Sequence, residues 1–302
     1  MDVHKKLVLS SDGEHTLQGV VYVPDGTPKG YFQVVHGMCE YVGRYESFMT
    51  QLAGQGYLVF GYDHLGHGHT ARSPEELGFI ASRDGWLRLL DDVSVFYHAV
   101  AEEYGPMPYI LFGHSMGSFI VRGAVERGAK PDRLIVCGTG GPNPASGAGL
   151  AACRTVKALR GEHHVSKTLQ NLAFGAYNKR FADENDPYAW LTKDLSVRDT
   201  YRNDPFCTYS FQAAAMVDLI RLQSFCNRKA HFAAFPTTLP TLLIAGAQDP
   251  VGDYGKGVQT VYDRLRAVGC NVQLHLYPDC RHEILNDTCR QQVMNDIAAF
   301  LA

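Results

Sequence analysis

One serine in this chain stands where its hydroxyl could do chemistry. Gly113-His114-Ser115-Met116-Gly117 reads G-x-S-x-G. The apolar run Tyr109-Ile110-Leu111-Phe112 precedes it as a strand, and Ser118 to Val125 can follow it as a helix. A strand, a one-residue corner and a helix lift a serine side chain clear of the backbone. Glycines at 113 and 117 remove the side chains that would collide at so tight a corner. The N–H of Met116, at the start of the helix, is placed to hold a developing oxyanion.

A serine attacks a carbonyl only when a base takes its proton and an acid orients the base. On a strand–corner–helix frame these partners follow in the order serine, acid, histidine, on loops after later strands. Asp249 lies just past the apolar run Leu242–Ala245, and His282 lies past the strand that ends at Tyr277. Both positions are at carboxyl ends of strands, where open α/β sheets build their sites. Asp253 and Asp279 compete for the acid, and Asp249 fits the position best. Among 13 histidines, His275 falls inside a strand and His114 points away from the corner, and only His282 combines the loop, the chain order and the position expected of the base. The second oxyanion donor is expected from the backbone of Met38, because His36-Gly37-Met38 closes the strand Tyr31–Val35. Its side chain is expected to line the pocket.

These side chains need a sheet to carry them. Residues 3–10 and 15–23 alternate apolar and polar residues around Ser11-Asp12-Gly13 and predict an antiparallel hairpin. Short apolar runs at 31–35, 57–60, 109–112, 134–137, 241–245 and 271–277 alternate with helical spacing near 45–54, 84–104, 257–268 and 288–301. That rhythm predicts a mostly parallel sheet with helices on both faces. It breaks between residues 141 and 236, where no such strand is found and Phe174, Tyr177, Phe181, Trp190, Phe206, Phe211, Met216 and Leu219 accumulate. A structureless loop of that length is improbable in a compact domain. The expected organisation is therefore a core over 1–140, an inserted helical cap over 141–236, and the rest of the core over 237–302.

Composition narrows the class. The 302 residues are 45% hydrophobic and 20% charged, with a net charge of −3. No basic stripe supports a nucleic-acid partner, and no apolar run has the length of a membrane span. The opening residues Met1-Asp2-Val3-His4-Lys5-Lys6 lead into a strand and not a signal-peptide core, so a cytoplasmic location is expected. Eight cysteines are scattered without C-x-x-C spacing, which suggests free thiols and neither a disulfide frame nor a metal site.

With those residues placed, the chain resembles the monoacylglycerol lipase and lysophospholipase branch of the α/β-hydrolases, whose domain is of the serine aminopeptidase S33 type. The resemblance rests on His36-Gly37-Met38-Cys39-Glu40-Tyr41-Val42-Gly43-Arg44-Tyr45, similar to H-G-x-x-E-H-x-x-R-Y. It rests also on Asp63-His64-Leu65-Gly66-His67-Gly68, similar to D-x-R-G-H-G, on the GHSMG corner, and on Asp249-Pro250-Val251-Gly252 and Arg281-His282-Glu283. Tyr41 and Leu65 replace a histidine and an arginine of those patterns. The resemblance implies an α/β-hydrolase fold, catalytic Ser115, Asp249 and His282, and oxyanion donors at Met38 and Met116. It also implies that Asp63 and His67 organise a loop.

The expected function is hydrolysis of carboxylic esters of apolar acyl chains through an acyl-enzyme, with no cofactor. Two other readings use the same fold: a small-ester esterase or amidase on the same three residues, and a binding protein without catalysis. The substrate, a small ester or a lipid, is expected to meet His36, Gly37, Cys39 and His114 on the core side and Phe174, Tyr177, Met216 and Leu219 on the cap side. A lipid substrate also implies transient contact of the cap with a membrane surface. Glu40 and Arg44 are spaced to pair on one turn. Cys39, beside the donor at Met38, is expected to make the protein sensitive to bulky thiol reagents.

Overall fold

The computed structural model describes residues 1–302. Strand β1 (Asp2–Leu9) pairs antiparallel with β2 (Thr16–Val23), as their alternation predicts. The remaining strands are β3 (Tyr31–Val35), β4 (Leu58–Tyr62), β5 (Tyr109–His114), β6 (Arg133–Cys137), β7 (Thr241–Gly246) and β8 (Val272–Tyr277). They form one eight-stranded sheet in the order β1-β2-β4-β3-β5-β6-β7-β8. From β4 to β8 every pairing is parallel. Strands β3 to β5 and β7 are buried along their whole length, which explains why they read as continuous apolar runs without alternation.

Parallel neighbours need crossovers, and helices supply them. Helices α1 (Glu46–Gly54) and α10 (Arg290–Leu301) cover one face, through Phe48, Met49, Leu52, Val293 and Ile297. Helices α2 (Gly85–Tyr104), α3 (Met116–Glu126) and α9 (Lys256–Ala267) cover the other, through Leu89, Val93, Phe96, Ile120, Val258 and Val261.

Between Cys137 and Thr241 there is no strand. The segment holds α4 (Ser146–Arg160), α5 (Lys167–Phe174), a 3₁₀ turn at Lys179–Glu184, α6 (Leu195–Asn203), α7 (Ala213–Asn227) and α8 (Lys229–Ala234). Ser166 and Asp194 cap α5 and α6 by accepting backbone N–H groups, as residues of these types do. Helix α7 packs against both α2 and α3, so this part of the helical segment joins the apolar layer on that face of the sheet. No helix is long and apolar enough to cross a membrane.

One expectation needs correcting. Six cysteines are free, but Cys280 and Cys289 form a disulfide. The loop after β8 doubles back before α10 and brings their Cα atoms to 6.3 Å, within bridging range. A separation of nine residues carries no sequence pattern that would announce this.

Candidate active site

Strand β5 delivers His114 to the carboxyl edge of the sheet, and the chain turns at Ser115 with φ 55° and ψ −119°. An L-residue avoids such a conformation unless its surroundings enforce it. The two glycines do so by absence: a Cβ at Gly117 would lie 2.1 Å from the Val35 carbonyl oxygen, and one at Gly113 would lie 2.3 Å from that of Gly117. Met116 is the first residue of α3, where amide N–H groups lack helical partners.

Asp249 and His282, 33 residues apart, meet beside that corner. Asp249 Oδ2 lies 2.9 Å from His282 Nδ1, and its Oδ1 accepts the Val251 N–H at 2.8 Å. Asp249 is fully buried, which excludes water from the pair. With Nδ1–H donated to the carboxylate, His282 Nε2 is free as an acceptor toward the serine side. Ser115 and His282 border the same cavity without a direct hydrogen bond. Such bonds often tighten only when substrate is bound.

The turn after β3 is held by Glu40. Its Oε1 accepts the Gly37 N–H at 2.5 Å and the Tyr45 hydroxyl at 2.8 Å, and its Oε2 accepts from Arg44 at 2.9 Å. Burial opposes the Glu40 charge, yet the hydrogen bond with His114 and the Arg44 guanidinium hold its carboxyl well below the usual range. Burial likewise opposes charge on His114, but Glu40 outweighs it and raises that imidazole above its ordinary value. Arg44 continues across the sheet edge to Glu283, with both guanidinium nitrogens 2.8 Å from the carboxylate oxygens. A fixed chain of charges thus joins the loop that carries Met38 to the loop that carries His282. Asp63 ties the neighbouring loop, accepting the N–H groups of Val42 and His69, both at 2.8 Å.

A short stretch of the helical segment between β6 and β7 lies directly against the histidine loop. Glu283 N–H donates to the Leu191 carbonyl at 2.7 Å, His282 N–H to that of Trp190 at 3.4 Å, and Thr192 Oγ1 to that of Asn286 at 2.9 Å. Arg281 binds the Ala189 carbonyl and the Glu184 carboxylate. The Trp190 ring centre lies 5.1 Å from that of His282, with the planes 36° apart. The His114 ring lies 4.7 Å from His282.

The cavity in front of Ser115 has a volume of about 760 Å³ and a mainly apolar lining. Met38, Cys39, His114, Phe174, Tyr177, Met216 and Leu219 all border it, with Ser115, Met116 and His282. Two expected contacts do not. His36 is fully buried behind the wall, where its Nε2 accepts the His64 N–H at 3.0 Å. Gly37 turns its N–H to Glu40, and a Cβ there would lie 3.0 Å from Ser115 Cβ. Phe181, Phe206 and Phe211 also stand outside the lining. Cys39 borders the cavity in a positive-φ turn (φ 52°), but burial pushes its thiol up, which opposes the expected reactivity. Glu283 lies in the Arg281-His282-Glu283 motif without an expected role, and Tyr201 and Trp190 lie in no motif, yet all three border the cavity. Their contacts span long stretches of sequence, and the rarity of tryptophan, two in the chain, was the only available signal.

A parallel sheet flanked by helices, with a serine corner, an acid and a histidine at the carboxyl ends of its strands, defines an α/β-hydrolase of the serine type. The serine aminopeptidase S33 family profile matches residues 26–289, and the chain belongs to that family. Among curated relatives, the monoacylglycerol lipase of Mycolicibacterium smegmatis is 27% identical over 98% of this chain and 99% of its own length. The human monoglyceride lipase is 29% identical over 82% of this chain and 73% of its own. Among solved structures, a thermostable carboxyl esterase from Bacillus coagulans in complex with glycerol superposes with a TM-score of 0.92 at 30% identity, covering 100% of this chain and 98% of that one.

Proposed function

We propose that this serine ester hydrolase cleaves esters of apolar acyl chains, of the monoacylglycerol or lysophospholipid class, through an acyl-enzyme. His282 takes the proton of Ser115 as its oxygen attacks the carbonyl carbon. The N–H groups of Met38 and Met116 hold the oxyanion. Asp249 keeps the imidazole in the tautomer that accepts at Nε2 and stabilises the imidazolium that forms. His282 then protonates the leaving alcohol, and in the second half it activates water to release the acid.

The observation that carries this reading is the cavity. A mainly apolar space of about 760 Å³, bordered by Ser115 and His282, suits one fatty chain. The names of the mycobacterial and human relatives point the same way. Residues 141–236 act as the cap over this space. Leu159, Val165 and Leu172 are exposed on and between α4 and α5, beside Arg160 and Lys167, and this side is assigned to transient contact with a lipid surface.

The test is labelling with a fluorophosphonate probe, together with rates on paired ester and anilide substrates. Wild type should label once per chain at Ser115 and prefer the ester. Ser115→Ala should fold, fail to label and lose ester hydrolysis by about three or more orders of magnitude. A variant that kept a tenth of the activity would refute the assignment of the nucleophile.

A further inference from the structure

Trp190 is not required by the mechanism above, yet its backbone and its ring are both held beside the base. Its N–H donates to Asn178 Oδ1 at 2.9 Å, and its carbonyl accepts the N–H of His282 itself. Its ring is backed by Tyr177, with centres 4.9 Å apart and planes at 60°, and Tyr177 is backed in turn by Phe174 at 5.7 Å. Backbone and ring are thus fixed together, and the indole centre lies 5.1 Å from that of the imidazole with the planes 36° apart.

The imidazole changes charge during each half of the reaction. The groups that meet it are Asp249 at Nδ1, Ser115 across the cavity, and His114, whose ring is 4.7 Å away and whose Nε2 donates to the His282 carbonyl at 3.3 Å. Glu40 and Glu283 stand behind His114, and Arg281, the preceding residue, is turned away to Glu184. Burial opposes charge on His114, but its contact with the Glu40 carboxylate raises that imidazole above its ordinary value, and to the extent that it is protonated it opposes a second positive charge beside it. The electron-rich face of an indole has the opposite effect, and tryptophan provides the strongest such face among side chains.

We propose that Trp190 is a positioning residue for the base: its ring favours the imidazolium of His282 as Ser115 gives up its proton. The inference rests on the serine-hydrolase reading above. It concerns a residue of the insertion, so the insertion contributes to the chemical step as well as to the pocket wall.

The experiment measures kcat/KM against pH for wild type, Trp190→Phe and Trp190→Leu, with the fraction of reactive serine fixed by fluorophosphonate titration. Loss of the ring face should move the acid limb of the profile to lower pH by about 0.3–1 unit in Trp190→Leu, with a smaller move in Trp190→Phe. The plateau, per titrated serine, should fall about three- to tenfold in Trp190→Leu. Packing loss alone would lower activity without moving the limb. Coincident acid limbs in all three proteins therefore overturn the inference, whatever their plateaus. If Trp190→Leu does not fold, Trp190→Phe alone decides by the same criterion. A wild type that hydrolyses esters without labelling at serine overturns the parent reading and this one with it.

Discussion

Lengthening a p-nitrophenyl ester from acetate to octanoate keeps the leaving group constant and adds six methylenes to the acyl side. Each methylene moved from water into an apolar wall contributes about 0.8 kcal/mol, so full burial would contribute about 5 kcal/mol. The wall is not uniformly apolar. Asn143, Gln170 and Gln223 share it with Leu169, Phe174, Leu219 and Ile220. Taking half of the burial as effective leaves about 2.5 kcal/mol, a 50- to 100-fold rise in kcat/KM if the contact persists in the transition state. Leu219 is only partly buried and packs on the core from the cavity side, so Leu219→Asn replaces apolar lining by an amide. The variant should lose about five- to tenfold more on octanoate than on acetate. Initial rates are taken below micelle formation at several substrate concentrations. A specificity constant that falls steadily from acetate upward, or a Leu219→Asn variant that scales both esters equally, would sink the apolar-chain reading and leave a small-ester esterase.

Two further outcomes follow from single carboxylates. Asp249→Asn should lose most activity, because the imidazole loses the charge at Nδ1, whereas Asp253→Asn should change little, since Asp253 is exposed. The reverse pattern would move the acid to position 253. Asp218, on α7, is buried with its carboxylate at the start of α2. Desolvation raises its carboxyl from 3.8 to about 7, against the N–H of Trp86 and the charges of Arg221 and Lys157. The native state then holds a proton that the unfolded chain has released between about pH 4 and 7, so this group destabilises progressively as pH rises through that window. Asp218→Asn should therefore gain on wild type by about 2 kcal/mol between pH 5 and pH 8 in denaturant unfolding. A difference independent of pH would refute the burial argument.

What the sequence could reveal depended on distance along the chain. Strands β3 to β7 are buried on both faces, so their apolar runs were visible in windows of five or six residues. The residues at 115, 249 and 282 were readable because each follows a strand, and a strand end fixes position without knowledge of contacts. The Arg44–Glu283 pair joins residues 239 apart, and no local pattern announces it. His36 shows the limit from the other side. It sits in the most recognisable motif of the chain, yet the backbone turn at Gly37 sends it behind the wall and not toward substrate. The Cys280–Cys289 bridge and the Trp190–His282 contact were hidden for the same reason: both are set by how a loop folds back.

The hydrogen bonds from the His282 and Glu283 amides to the Trp190 and Leu191 carbonyls, and from the Thr192 hydroxyl to the Asn286 carbonyl, have a consequence for anyone who would exchange the helical segment to change substrate range. A graft cut at the ends of the helical segment, near residues 141 and 236, removes the carbonyl acceptors of Trp190 and Leu191 and leaves the His282 and Glu283 amides without them. A graft confined to residues 146–174 carries away the wall made by α4 and α5 and keeps the strip that braces His282. The modular unit for engineering is therefore shorter than the topological one. Libraries drawn within the shorter borders should retain turnover while altering chain-length preference.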